Sequence, residues 1–339
     1  MPADTTKRAL ITGITGQDGA YLARFLLDNG YHIYGTYRKS SALNFWRLQY
    51  LNIQENVTLI CADLADSSAM SDAIKSCQPH EIYNLASMTF SGTAFEHVVD
   101  VGEATGLGVT RLLEAVMRID PGIRFYQASS IELYGEGGSK PLTEDTPFNP
   151  VNPYAVAKLY AYWITRIYRQ RYGIFACSGI LFNHESPLRD LNFVTRKISN
   201  AVARISLGLQ NELTLGNLNA KRDWGYAPEY VRAMWLMLQQ NKPDDYIIAT
   251  NELHTVRELT EKAFEMVGLD WQKYVKTDEK LMRPTDVNFL QGDNSKARGN
   301  LGWQPQVKFN QLVEIMVKQD LDRWQRHSRG ETFPWDIPL

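Results

Sequence analysis

Arg8-Ala-Leu-Ile-Thr-Gly13-Ile-Thr-Gly16-Gln-Asp-Gly19, running straight into Ala20-Tyr-Leu-Ala-Arg-Phe-Leu-Leu27, decides the fold. A short apolar run is cut by three glycines at three-residue spacing, and a helical pattern follows at once. This predicts a strand, a tight turn and a helix N-terminus, the cradle of a dinucleotide pyrophosphate. Glycines let the backbone approach the phosphates, and the helix supplies unpaired N–H groups and the positive end of its dipole. Three glycines alone also fit an ordinary turn. Their position at the first strand, before a helix, is what makes them a nucleotide signal.

Working outward, strand and helix signals alternate. Tyr31–Tyr37, Val57–Cys61, Glu81–Ala86, Arg124–Ser129 and Phe175–Phe182 read as strands, and Ala20–Asp28, Ser68–Ser76, Leu107–Met117 and Lys158–Tyr172 as helices. The expectation is an α/β fold: a doubly wound parallel Rossmann sheet with a smaller, mainly helical C-terminal lobe that binds substrate. Residues 1–182, with a return segment near 226–252, form the Rossmann domain. Residues 183–225 and 253–339 form the second lobe, with loops at Asn183–Asn192 and Gly216–Gly225 and amphipathic stretches at Val256–Val267 and Phe309–Trp324. Residues 1–6 and the end after Arg326 are expected to be less ordered.

The 339 residues are 44% hydrophobic, enough for a large core, and 36 basic against 38 acidic residues leave a net charge of -2. That balance advertises neither nucleic acid nor a membrane surface, so an anionic ligand must be met by local cations. Cys61, Cys77 and Cys177 lack metal-ligand spacing. They read as buried thiols in a reducing, cytoplasmic compartment, with no metal. No signal peptide and no bilayer-length apolar run is seen.

The end of the second strand speaks to the cofactor. An NAD site usually places an acid there for the ribose 2′-hydroxyl. This chain has Thr36-Tyr-Arg38-Lys39-Ser40-Ser41, two cations and hydroxyls suited to a 2′-phosphate, hence NADP. Two solvated loop cations are the alternative. Asp63-Leu64, after the third strand, either flanks the adenine or starts a turn.

Tyr154 and Lys158, within Asn152-Pro-Tyr154-Ala-Val-Ala-Lys158, lie one helical turn apart on one face. An ammonium beside a phenol is expected to lower a pKa that starts at about 10, giving a base near neutrality. With 17 tyrosines in the chain and lysine at roughly one residue in seventeen, about one chance pair is expected. Gln127-Ala-Ser129-Ser130-Ile-Glu132-Leu-Tyr134-Gly135 strengthens it, because it ends the fifth strand with a hydroxyl and a carboxylate.

These segments resemble the extended short-chain dehydrogenase/reductases, and specifically the GDP-mannose 4,6-dehydratases. The resemblance runs from Ala9 to about Trp303. It is carried by Ile11–Gly19, Leu112–Val116, Phe125–Ser129, Lys158–Trp163, Gly179–Pro187 and Phe193–Lys197, with Gly216-Asn217, Ala220–Gly225 and Arg283-Pro284. It implies NADP held by Gly13, Thr15, Gly16, Gln17, Asp18 and Gly19, with Arg38, Asp63, Leu64, Leu85, Ala86, Ser87, Tyr154, Lys158, His184 and Arg189. It implies a sugar nucleotide, GDP-mannose, held by Thr89, Ser130, Glu132, Asn183, Val194, Lys197, Arg222 and Arg283. Ser130, in place of the family's usual threonine, Glu132, Tyr154 and Lys158 would be catalytic. By themselves Asn183-His184-Glu185 also fits a capped turn, and Arg222-Asp223 a structural ion pair.

The implied reaction is oxidation at C4, removal of water across C5 and C6, and return of hydride to C6, in a homodimer or homotetramer. Two departures stand out. The family's Ala-Gln-Ser is here Ser87-Met88-Thr89, and Thr105 stands where an aspartate is common. They leave open another nucleotide sugar, such as a GDP-heptose. An epimerase or 4-reductase needs Tyr154 and Lys158 but not Glu132, and a non-catalytic NADP sensor needs no general base at all.

Overall fold

The computed structural model describes residues 6–40, 44–88, 95–137, 140–281 and 290–331. Seven parallel strands make the central sheet: β1 Arg8–Thr12, β2 His32–Tyr37, β3 Val57–Cys61, β4 Glu81–Asn84, β5 Arg124–Ser130, β6 Ala176–Leu181 and β7 Tyr246–Ile248, in the order β7-β6-β5-β4-β1-β2-β3. The order reverses between β1 and β4, whose registers pair Thr12 with Asn84, so the ligand crevice opens beyond these two residues. The helices used below are α1 Gln17–Asp28, α2 Ser67–Cys77, α3 Gly108–Ile119, α4 Pro153–Tyr172, α5 Val194–Ser206, α6 Ala227–Leu238, α7 Val256–Glu265 and α8 Phe309–Ser328.

Strand alternation sends successive side chains to opposite faces. Ala9 and Ile11 of β1 pack with Leu22, Leu26, Val231 and Met234 of α1 and α6. Leu10 packs on the other face, with Met70, Ile74, Leu112 and Val116 of α2 and α3. A separate core joins α5, α7 and α8 through Ile198, Val202, Leu259, Phe264, Val313 and Val317. β7 pairs with β6, Tyr246 beside Gly179, and so returns the chain to the Rossmann sheet after its first excursion. Short two-residue and three-residue strands order the segments expected to be loops: Asn183–Glu185 pairs with Trp224–Tyr226, and Lys221–Arg222 with His254–Thr255.

Several elements differ from the sequence expectation. α1 and α4 begin earlier than their apolar periodicity indicates, because their first turns are set by Gly16 and by the Asn152 cap, not by apolar residues. Before α3 the chain is already helical from Val98–Val101, then passes through a wide π-helical stretch, Gly102–Leu107. α5 was not predicted, since its buried face includes Arg196, Ser199 and Asn200. Cys61 is exposed at the end of edge strand β3, against the expected burial, whereas Cys77 and Cys177 are buried, and all three are free thiols. Residues 1–5 and 332–339, within the termini expected to be less ordered, lie outside the described residues. Among the described residues no helix is long and apolar enough to cross a membrane, and no His/Cys/Asp/Glu group is arranged to hold a metal.

Candidate active site

A ladder of buried side chains organises the strand ends. Thr12 Oγ1 donates to Asn84 Oδ1 at 2.6 Å, and Asn84 Nδ2 donates to Gln127 Oε1 at 2.7 Å. Gln127 Nε2 reaches the carbonyl of Ala128, which also accepts from Lys158 Nζ at 2.8 Å. Thr12 Oγ1 receives the N–H groups of Leu85 and Ala86, fixing the turn after β4. One hydrogen-bonded series therefore ties the glycine-rich strand to the lysine on α4. Such buried groups are costly unless fully paired, so the ladder holds the crevice in a single shape.

Gly13 sits at φ +69°, and a Cβ on it would lie 2.8 Å from the Cα of Ala86. At Gly19 a Cβ would meet the Gly13 carbonyl oxygen at 2.4 Å. Neither position admits a side chain. Gly16 is the N-cap of α1 and provides no side-chain hydrogen bond, so the first N–H groups of the helix face the cleft. This cradle fits a pyrophosphate.

The segment from 182 to 189 straps over that cradle. Gln17 Nε2 donates to the His184 carbonyl, Ser186 Oγ donates to Gln17 Oε1, and Arg47 bridges the carbonyls of Leu188 and Thr15. His184 contacts the Phe182 carbonyl through Nδ1 at 2.6 Å and the Asp18 carboxylate through Nε2 at 2.8 Å. Both partners only accept, so both ring nitrogens carry protons and the ring is an imidazolium. Burial opposes that charge, but Asp18 outweighs it and holds His184 above its ordinary value. Asp18 in turn, though buried, is drawn down to about 2 by His184. Beneath the strap, Arg196 is fully buried. Its Nη1 donates to the carbonyls of Pro187 and Arg189, and its Nε donates to Asp320 of α8, which also accepts from Ser199 Oγ.

A continuous cleft of about 1200 Å³ runs from this cradle into the C-terminal lobe. That exceeds a usual single-ligand pocket and suits two ligands end to end. Arg38, Asp63 and Leu64 line its β2–β3 end, while Lys39 does not line it. Leu85, Ala86 and Ser87 line the middle beside Gly13, Thr15 and Gln17, and Asn183, Val194, Lys197 and Arg222 line the far end. Burial lowers the Lys197 ammonium below its ordinary value. Arg222 is not ion-paired to its neighbour Asp223 as the alternative reading had it: Asp223 turns inward to the backbone of Thr250 and Asn251 and the Thr250 hydroxyl. Thr89 and Arg283, also expected here, lie outside the described residues.

Ser130, Glu132, Tyr154 and Lys158 meet at the centre of the cleft. Ser130 ends β5 and caps the short turn that carries Glu132, accepting from the Glu132 N–H at 3.2 Å. Tyr154 and Lys158 lie in the first turns of α4. The phenol is not lowered as expected. Lys158 Nζ donates to the Ala128 carbonyl, and burial, against a smaller effect of Asp18, brings the pKa of Lys158 to about 8. The Tyr154 phenol is pushed well above its usual value by burial and then by Glu132, with the Ser130 hydroxyl pulling the other way. The protein groups alone keep Tyr154 protonated.

The two departures from the family pattern turn out to be one feature. Ser87 Oγ and Thr105 Oγ1 lie 3.0 Å apart, and the Met88 N–H donates to Thr105 Oγ1. Thr105 belongs to the π-helical stretch, and Met88 packs against Val101, Tyr154 and Ala157. Two residues that the sequence reading gave no site role also belong here. Asn152 links Glu132 to α4, and its position just before a proline at a helix start was the signal for a cap. Arg47, from beyond β2, closes the strap.

The sequence profile of the GDP-mannose 4,6 dehydratase family matches residues 10–316. GDP-mannose 4,6 dehydratase 2 of Arabidopsis thaliana is 50% identical over 330 residues, covering 94% of this chain and 88% of that protein. GDP-mannose 4,6 dehydratase of Homo sapiens is 47% identical over 339 residues, covering 93% and 91%. Among solved structures, dTDP-glucose 4,6-dehydratase of Bacillus anthracis, in complex with NAD, superposes with a TM-score of 0.82 at 20% identity, covering 96% of this chain and 98% of that one.

Proposed function

The chain belongs to the GDP-mannose 4,6-dehydratase family, and we propose that its cleft converts GDP-mannose to GDP-4-dehydro-6-deoxy-mannose and water with NADP as a resident cofactor. The observation that carries this reading is the meeting of a carboxylate, Glu132, with the Ser130, Tyr154 and Lys158 set in one cleft long enough for dinucleotide and sugar nucleotide together. An epimerase or 4-reductase has no use for that carboxylate.

The residues that would hold NADP are Gly13, Thr15, Gly16, Gln17, Asp18 and Gly19 at the pyrophosphate, Arg38 at the 2′-phosphate, Asp63 and Leu64 near the base, and Leu85, Ala86, Ser87, Tyr154, Lys158, His184 and Arg189 along the rest. When bound, the nicotinamide supplies a hydride acceptor that returns what it takes. Tyr154 is placed to take the proton from the sugar 4-hydroxyl. Because Glu132 and burial hold the phenol protonated, it serves as base only where cationic charge offsets them. Lys158, with a pKa near 8, supplies part of that charge at neutral pH and loses it in mild alkali. The 4-ketone acidifies the hydrogen at C5, and Glu132 removes that proton. The C6 hydroxyl leaves as water, taking a proton from Glu132 or Ser130. Tyr154 keeps the 4-keto oxygen hydrogen-bonded, C5 regains a proton from solvent through Glu132 as C6 receives its hydride, and the proton taken from the 4-hydroxyl passes to solvent, so the protons balance. At the far end Asn183, Val194, Lys197 and Arg222 would hold the nucleotide and sugar; Thr89 and Arg283, given the same role by the resemblance, lie outside the described residues.

Mass spectrometry of GDP-mannose incubated with enzyme and NADP tests the reading. Loss of one water supports it. A product that keeps its 6-hydroxyl, with net release of NADPH, would replace it with a 4-reductase.

A homodimer or homotetramer is the proposed assembly. Its support is a stripe of exposed apolar residues on α4, Val156, Tyr160, Trp163 and Ile167, with Leu107 beside it. Each is at least 41% exposed, and together they form one contiguous helical face of the kind a second copy covers. The family resemblance also implies that the Arg38–Arg47 loop and the segment around Arg189 meet the same elements of a neighbouring subunit; within this chain Arg47 Nε donates to the Leu188 carbonyl. The three free thiols support a cytoplasmic location.

A further inference from the structure

Asn152 makes two hydrogen bonds that fix its amide in one orientation. Its Oδ1 accepts from the Ala155 N–H at 2.8 Å, so it caps α4, and its Nδ2 donates to Glu132 Oε2 at 2.6 Å. An N–H needs an acceptor and a carboxylate needs a donor, so the amide cannot flip. Its backbone, at φ -147° and ψ 162°, is the extended geometry of an N-cap, and Pro153 follows at the first helical position. The residue that starts the helix of Tyr154 and Lys158 therefore also grips the carboxylate from the other segment.

We propose that Asn152 is a positioning residue for the elimination step, aiming the Glu132 carboxylate. This rests on Glu132 being the proton acceptor of the reading above. With Oε2 engaged by the amide, Oε1 is the oxygen turned to the C5 hydrogen, and the same Oε1–H then protonates the leaving C6 hydroxyl. No atom or electron is needed beyond the dehydration itself.

Asn152→Ser and Asn152→Asp separate the cap from the grip. Serine caps a helix about as well as asparagine but is too short, and lacks the amide, to hold Glu132. Aspartate keeps length and cap but sets a like charge against the carboxylate. With NADP-loaded enzyme and GDP-mannose, Asn152→Ser is expected to lower kcat by about tenfold to a hundredfold, as hydrogen bonds to charged groups do. KM should stay within about threefold, so the loss falls on kcat. Asn152→Asp, which sets a like charge on the carboxylate, should lower kcat further. The melting temperature of the serine variant should stay within a few degrees of the parent, and if it falls further the kcat of the aspartate variant decides the matter. A parental kcat in both variants overturns the proposal. Glu132→Gln run beside them keeps the two ideas apart. If that variant still eliminates water, the role of Glu132 itself is wrong. If it does not, and the Asn152 variants behave as parent, only the positioning role fails.

Discussion

Glu132→Gln isolates the dehydration from the redox steps. The glutamine carbonyl can still accept from Asn152 Nδ2, so its amide nitrogen, which has no basic lone pair, is turned to the sugar. Loss of a positioned general base costs about a hundredfold to ten-thousandfold, or roughly 3–5 kcal/mol of barrier at about 1.4 kcal/mol per factor of ten. The oxidation at C4 should not share that loss. Glu132 is one of the groups pushing the Tyr154 phenol up, so removing its charge makes the phenol easier to deprotonate. With enzyme in excess over GDP-mannose, absorbance of reduced nicotinamide should therefore rise at least as fast as in the parent. It should then persist, because no enone forms to take the hydride back. Tyr154→Phe should show no such rise. The reasoning is refuted if Glu132→Gln gives 6-deoxy product at the parental rate, or if it gives no reduced nicotinamide at all.

Arg38→Ala should weaken NADP about tenfold or more relative to NAD, since a charge-assisted contact contributes roughly 1.5–3 kcal/mol. Lys39→Ala, a residue outside the cleft lining, should change the ratio little; titration calorimetry with both cofactors reads both. The Asp18–His184 pair makes a pH-dependent contribution to stability. The raised His184 value makes its part complete below about pH 6.5 and lost as pH climbs through the folded value, while the lowered Asp18 value makes its part complete above about pH 3.8 and lost toward about 2. Asp18→Asn should therefore lower the melting temperature more at pH 5 than at pH 9, and equal losses would contradict this. Trp163→Glu with Ile167→Glu should convert the assembly to monomers by light scattering, and an unchanged mass would remove the α4 face from the interface.

The half of the chain governed by short apolar runs was open to reading, because a buried parallel strand is a run of consecutive apolar residues whatever its neighbours. That is why β1 to β6 stand within a residue or two of expectation, and why the glycine turn located the crevice. α5 was hidden because its buried face mixes Ile198 and Val202 with Arg196, Ser199 and Asn200, which pair with α8 more than a hundred residues away, and no local pattern announces such a partner. The helical stretch before α3 was not read, because Gly102 and Gly106 interrupt its apolar pattern and its turns are π-helical. Gly108, inside the expected Leu107–Met117 helix, lets the chain pass close to Leu64, where a Cβ would lie 2.8 Å from the Leu64 Cβ. In the site, residue types were legible and their couplings were not. Lysine beside tyrosine suggested a lowered phenol, yet burial and the Glu132 charge, neither visible in the local sequence, raise it. The Ser87 and Thr105 departures looked independent until their hydroxyls proved to share one hydrogen bond.

The Arg196–Asp320 pair also sets an order in time. A chain leaves the ribosome N-terminus first, so the glycine cradle exists long before Asp320 of α8 has been made. Until then the Asp320 carboxylate is not there to meet Arg196, and breaking one side of a buried ion pair costs about 3–5 kcal/mol. The carbonyls of Pro187 and Arg189 that it holds, and with them the strap over the pyrophosphate cradle, stay unset. The cover of the cradle is thus tied to the last helix of the chain, although the cradle's own residues are made first.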